Sequence, residues 1–327
     1  MSLGGGEHSA RLSSRALAGG LVAVALWGLA PVATRAVVAH IAPLPLLALR
    51  MGLASLVLLP WALPVFRRLN VRSAGRLVTA GALGIVGYTL PVTAGLQWLH
   101  ASTAGLLLAS EPVWVMLIGR VFLSERRPAR AWAGSGVALA GVVLLAGPDA
   151  LSGGGHRPLA GAMLVVAGTL AFGAYTIVLR PLSTVHGAGP ATAASTVVGA
   201  IPFLAFAGTV SGTRLAQLPP ADWAGLVFLG LGSSVAGMVL WNRAVAIAGS
   251  PRVSLLLYFE PVVSVTGAVA LLGERVTVEM LGAGLLILAG VALASAGIPA
   301  EAADEAGRPA STDVSRRPDK RHVGWEP

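Results

Sequence analysis

Two glutamates stand inside apolar stretches, each followed by proline: Glu111-Pro112 after Leu106-Leu107-Leu108-Ala109-Ser110, and Glu260-Pro261 after Leu255-Leu256-Leu257-Tyr258-Phe259. If residues 102–123 and 252–272 each form one helix, a rise of about 1.5 Å per residue carries them across a hydrocarbon core and leaves each glutamate near the middle. A carboxylate at that depth costs roughly 2.5 kcal/mol or more, so both are expected to face protein or water and not lipid. Proline has no backbone donor. Pro112 is therefore expected to leave the Leu108 carbonyl unpaired, and Pro261 that of Leu257, one turn before each glutamate and on its face. Adjacent acceptors without a donor suit a cation, a proton or a polar ligand. The plainer alternative is that each glutamate bonds a neighbouring helix and each proline kinks its own.

The two are not expected to be equivalent. Tyr258-Phe259 should surround Glu260 with bulky apolar groups and favour a neutral, proton-carrying carboxyl. Ala109-Ser110 should leave Glu111 room for water or a hydroxyl, and so a standing charge, paired with Arg50 or with a cationic substrate. Arg50 lies about two turns inside its apolar stretch, deep enough to pair with a carboxylate, although a long side chain can also snorkel. Trp27 sits at mid-stretch, away from the interfacial belt where tryptophan gathers, and either lines a cavity or fills a helix interface. Tyr88, Trp98, Tyr175, Trp241, Asn242 and Tyr258 complete a mixed aromatic and polar wall of the kind that holds small molecules, each of them also an ordinary packing residue.

These residues must be positioned by helices in a membrane. A hydrophobic fraction of 55% with 11% charged residues, and a mean hydropathy of +0.78, exclude a soluble globular domain. The formal net charge of +9 does not indicate nucleic acid, because the basic residues punctuate the ends of apolar runs and form no single basic face. Cysteine is absent, which removes disulfides, thiolate chemistry and sulfur-ligated metals. No cofactor or metal is expected. Gly153-Gly154-Gly155 lacks the Gly-Lys-Ser/Thr that completes a nucleotide-binding loop, so ATP-driven transport within this chain is not expected.

Residues 1–15 read as a polar N-terminal tail, and the run from Ala16 as an uncleaved anchor, too long for a signal peptide. Apolar stretches follow near 43–66, 76–99, 102–123, 129–147, 159–180, 188–210, 222–247, 252–272 and 277–297, which with the first makes ten. The linker 148–158 divides them five and five, and residues 298–327 read as a disordered tail. Most arginines fall on one side if the N-terminus is cytoplasmic, which places both termini in the cytoplasm and the chain in the cell membrane.

The halves are copies. At an offset of 149, Glu111-Pro112 meets Glu260-Pro261, Glu125-Arg126 meets Glu274-Arg275, and Leu139-Ala140-Gly141-Val142 meets Leu288-Ala289-Gly290-Val291. Five helices is an odd number, so the second copy enters the membrane from the opposite side. The expected fold is an all-α polytopic membrane protein of two inverted five-helix repeats, 16–147 and 159–297, with a midplane site where proline breaks the helices. Glu125 and Glu274 are expected to cap the helices that follow them and to pair with the adjacent arginines. The small faces Gly134, Ala138, Gly141 and Ala283, Ile287, Gly290, Ala294 read as close helix packing before dimerisation.

The chain resembles the drug/metabolite transporter superfamily in its ten-span EamA type. The resemblance rests on Trp27-Gly28 with Arg35, on Arg50, on Glu111-Pro112 with Ser124-Glu125-Arg126, and on Trp241-Asn242 leading to Glu260-Pro261 and Gly273-Glu274-Arg275. It implies that helices 1–4 and 6–9 surround a cavity while 5 and 10 pack outside, and that the protein exports an amino acid, metabolite or toxic compound. Ser124, where the family often has glycine, and the long tail depart from the pattern. The reading is a non-enzymatic secondary transporter working by alternating access, with the bilayer and a small molecule as partners; a non-transporting sensor or assembly partner is the alternative. Proton or other ion coupling and a homodimer are left open. An intramembrane hydrolase would need an Asp pair, a Ser with His or a metal cluster at membrane depth, and the sequence has none.

Overall fold

The computed structural model describes residues 4–123, 128–151, 157–206, 217–249 and 253–295, and among them every regular element is helical. Seven helical segments are long and apolar enough to cross a membrane: Ser14–Val38, Pro43–Phe66, Val71–Gly95, Ala101–Phe122, Arg157–His186, Pro220–Ala248 and Leu255–Leu272. Three apolar helices are shorter, Ala129–Leu145, Ala188–Leu204 and Val278–Ala294. They are numbered here as segments one to ten in chain order.

Segments three, four, eight and nine are interrupted, and segment one bends. α1 (Gly4–Gly28) and α2 (Ala30–Val38) meet at Leu29, just before Pro31 removes a donor. α1 begins upstream of the apolar run, inside the stretch read as a tail. α3 (Pro43–Phe66) is the second segment. In the third, α4 (Val71–Gly81) widens into a π-turn over Ala82–Val86 before α5 (Gly87–Gly95), which holds Pro91. The fourth is α6 (Ala101–Leu108) and α7 (Glu111–Leu123), separated by a turn at Ala109-Ser110, so the continuous helix expected over 102–123 is broken at the glutamate.

α8 (Ala129–Leu151), α9 (Arg157–His186) and α10 (Ala188–Leu204) are segments five to seven. The eighth has α11 (Pro220–Val227), a π-stretch over Phe228–Gly237 and α12 (Met238–Ala248). In the ninth a 3-10 helix, Leu255–Phe259, runs directly into α13 (Glu260–Leu272); α14 (Val278–Ser295) is the tenth. Here the Glu260 amide donates to the Leu257 carbonyl. The tighter 3-10 turn thus satisfies the acceptor that Pro261 was expected to leave open.

Segment two packs on seven, four on nine, five on ten, one on eight and three on six. Exchanging the halves carries each pairing onto itself or its counterpart, as a two-fold relation requires. Segments five and ten pack backbone against backbone. A Cβ on Gly134 would lie 2.4 Å from the Ala294 nitrogen, and one on Gly290 would lie 2.3 Å from that of Ala138. The small faces seen in the sequence are therefore used within the chain. Large apolar side chains such as Leu56, Phe122 and Leu285 point outward, where a soluble protein would not tolerate them but lipid does.

Candidate functional site

The site is assembled where the helices are irregular. Glu111 opens α7 and Glu260 opens α13, so each carboxylate stands at a helix N-terminus created by its own break. The Tyr88 hydroxyl, one residue into α5 after the π-turn, hydrogen-bonds the Glu111 carboxyl, and Glu260 is near enough to interact electrostatically with both. Arg50 is near enough to interact with Tyr88, while its Nε donates to the Ser234 hydroxyl at 3.2 Å. Glu111 is thus hydrogen-bonded by Tyr88, where the sequence had suggested Arg50 or a cationic substrate as its partner. All four side chains lie deep in the protein yet keep part of their surface accessible.

Trp27 and Trp241 pack against each other. Their rings are 5.2 Å apart at 50°, and the Trp27 indole donates to the Ser233 carbonyl at 3.0 Å. The π-stretch of segment eight supplies both this carbonyl and the Ser234 hydroxyl, which itself donates to the Leu229 carbonyl five residues back. Sequence reasoning passed over Ser233 and Ser234; two serines in the glycine-rich apolar run Gly230-Leu231-Gly232 were the available signal. Asn242 donates to its own helix at the Met238 carbonyl, 2.8 Å away.

Tyr88 continues into an aromatic ladder, 5.0 Å from Phe172, which is 5.5 Å from Tyr175. Tyr175 is buried, its hydroxyl 3.4 Å from that of Ser195, so it belongs to the packing behind Phe172. Tyr258 is half-buried against the core beside segment four. Pro261 is buried and Pro112 exposed. Trp98 lies in the turn that ends segment three and is 40% exposed, at an end of the bundle, away from mid-segment depth.

The expected surroundings of the two glutamates are overturned in part. Phe259 points outward, 54% exposed, and so does not shield Glu260. Ser110 is buried and donates to the Leu107 carbonyl at 2.7 Å while accepting from the Trp114 indole at 3.1 Å, so it serves the break and Tyr88 serves Glu111.

Glu274 is a capping residue, but of another helix than expected. Its carboxylate accepts from the Ala101 amide at 2.7 Å, the Ser102 amide at 3.0 Å and the Ser102 hydroxyl at 2.6 Å, and so caps α6 in the other half. Burial alone would push this carboxyl up; the three hydrogen bonds, with His100 nearby, hold it below the usual carboxylate range. Arg35 likewise closes the end of α5, its Nη1 2.8 Å from the carbonyls of Leu96 and Gln97. Glu125 and Arg126 lie outside the described residues. Among the described residues no group of His, Asp and Glu could hold a metal ion.

Glu111 and Glu260 stand close enough to repel each other, with the Arg50 guanidinium beside the same tyrosine. A bundle of paired, broken apolar helices around such a site defines a membrane transporter. The chain belongs to the EamA-like transporter family, whose model matches residues 14–147 and again 159–296. It is 32% identical over 253 residues to a probable terminal-alkyne amino-acid exporter of Streptantibioticus cattleyicolor, covering 75% of this chain and 81% of the relative. It is 25% identical to a probable amino-acid metabolite efflux pump of Salmonella typhimurium, over 83% of this chain and 91% of that one. A solved crystal structure shares the fold at a TM-score of 0.57 and 22% identity, over 86% of this chain and 97% of that chain.

Proposed function

We propose that the protein exports a small amino acid or amino-acid-like metabolite across the cytoplasmic membrane by alternating access. It is a multi-pass protein with ten crossings, both termini inside, and a substrate cavity between the repeats lined by segments one, three, four, six, eight and nine. The observation that carries this reading is the grouping of Glu111, Glu260 and Tyr88 with Arg50 on helices from both halves. A zwitterion needs both signs within a few ångströms: carboxylates for its ammonium, a guanidinium for its carboxylate. The Trp27–Trp241 pair would receive its side chain. The names of the two exporter relatives support the substrate class. Energy comes from an ion or substrate gradient.

The test is counterflow in proteoliposomes loaded with a panel of unlabelled amino acids, each with its labelled form outside. Uptake for some members, abolished by Arg50→Gln, is the expected result. No exchange with any amino acid, despite folded and correctly inserted protein, would overturn the substrate class. Reporter fusions after Leu151 and Ile298 should report outside and inside; two fusions on one side would overturn the topology.

A further inference from the structure

Two π irregularities interrupt the apolar helices, and the repeat relates them: the offset of 149 carries Ala82–Val86 of segment three onto 231–235, inside the Phe228–Gly237 stretch of segment eight. Each brings a polar partner to a charged group of the site, but not from the same register. In the first half Ile85 stands where the second has Ser234, and Tyr88 where the second has Gly237. Tyr88 serves Glu111. A side chain at Gly237 would meet the indole instead, since a Cβ there would lie 2.6 Å from the Trp27 nitrogen. The second half serves its charge, Arg50, through Ser234.

The serine hydroxyl has a single hydrogen and two lone pairs. Ser234 donates that hydrogen to the Leu229 carbonyl at 2.8 Å, five residues back, a spacing that matches the π-helical turn. Its lone pairs are left for a donor, and Arg50 Nε supplies one at 3.2 Å. The bond joins α3 of the first repeat to segment eight of the second. It holds the guanidinium at its inner nitrogen. Among the described residues no hydrogen-bond acceptor meets Nη1 or Nη2, the outer pair that can take a carboxylate end-on with two parallel bonds. Arg35 shows the opposite use, with Nη1 committed to the carbonyls of Leu96 and Gln97.

We propose that Ser234 is a positioning residue for Arg50: it fixes Nε so that the outer nitrogens receive the carboxylate of the ligand, at the junction of segments two and eight. The proposal rests on the amino-acid reading above and adds the residue that sets the place and angle of the carboxylate. The π-stretch is then part of the site, because a regular α-helix would take the hydroxyl away from the Leu229 carbonyl that orients it.

The experiment has one arm without substrate and one with it. In detergent, Ser234→Ala lowers the unfolding temperature when Arg50 is present, since a buried donor loses its acceptor, and lowers it by less than half as much beside Arg50→Met, which has no donor to lose. Equal drops in the two backgrounds overturn the pairing. In proteoliposomes, Ser234→Ala raises the KM of amino-acid counterflow by about tenfold, the scale of a lost hydrogen bond to a charged group, with the maximal rate kept within about twofold, and Ser234→Thr restores the KM. An unchanged KM, or a loss confined to the maximal rate, overturns the positioning role. Should Ser234→Ala fold poorly, Ser234→Thr against Ser234→Val makes the same contrast, hydroxyl for methyl at nearly equal shape. Coupled unfolding with no exchange of any amino acid by the unaltered protein sinks the substrate reading and supports the Arg50–Ser234 assignment; exchange with additive unfolding sinks the assignment alone.

Discussion

The break before Glu111 and the break before Glu260 carry the same sequence pattern in different surroundings. In the first, α6 is buried along its whole length, capped by Glu274 from the other half, and followed by a turn in which Ser110 joins Leu107 to Trp114. In the second, the 3-10 helix Leu255–Phe259 has no buried residue. The contrast extends over the segments: 61% of the apolar window of Ala101–Phe122 is buried, against 22% for Leu255–Leu272. One carboxylate follows an element buried throughout and the other follows an element with no buried residue. An inverted repeat can therefore keep a motif twice while giving its two copies different surroundings.

The largest effect that would sharpen this comparison is on transport per folded protein. Glu111→Gln is expected to lower it by about tenfold or more, because the carboxyl that Tyr88 hydrogen-bonds is lost from the site. Glu260→Gln should lower it less. Equal losses and identical pH profiles for the two variants would break the comparison.

Next in size is stability at positions related by the repeat. Leu106→Ala, at 6% exposure, should cost about 2 kcal/mol, and its counterpart Leu255→Ala, at 62%, less than about 0.5 kcal/mol, measured by thermal unfolding in detergent. Gly105→Ala should be worse than a usual overpacking of about 1–3 kcal/mol in one respect: its Cβ would sit 2.0 Å from the Ser264 hydroxyl, so α6 and α13 must separate and folded yield falls. Similar unfolding temperatures for the Leu106 and Leu255 variants would mean that the first break is no better held than the second.

A smaller effect tests the cap. The Glu274 carboxyl is held below its ordinary value, so its stabilisation is complete above the usual carboxylate range and is lost as pH falls through the lowered value. Unfolding temperature should therefore drop on acidification below about pH 4, and Glu274→Gln should flatten that part of the curve. Smallest is Trp114→Phe, which removes one indole hydrogen bond to Ser110 and should cost about 1 kcal/mol.

Much of this was legible because the signals were local. Proline and glutamate mark the breaks in place, and small residues at helical spacing in segments five and ten announced a close contact that the backbone then makes. What the sequence misjudged was direction and distance. A 3-10 helix turns about 20° further per residue than an α-helix, so five residues rotate Phe259 well off the face that helical spacing assigns it. A carboxylate after a helix announces a cap, but which of several N-termini it reaches is decided by packing, and Glu274 reaches one 172 residues away in the chain. Tyr88 as the partner of Glu111 depends on the π-turn before it, which rotates the end of segment three and leaves no mark in composition.

The crossed pairing of segments one with eight and three with six also sets a timetable for synthesis. The Trp27 indole meets its carbonyl acceptor 206 residues later, so at about 5–20 residues per second it waits roughly 10–40 s in the bilayer before Ser233 is made. During that interval the Trp27 indole lacks the carbonyl it will donate to. The two halves must therefore stay together in the membrane that long before this bond can close.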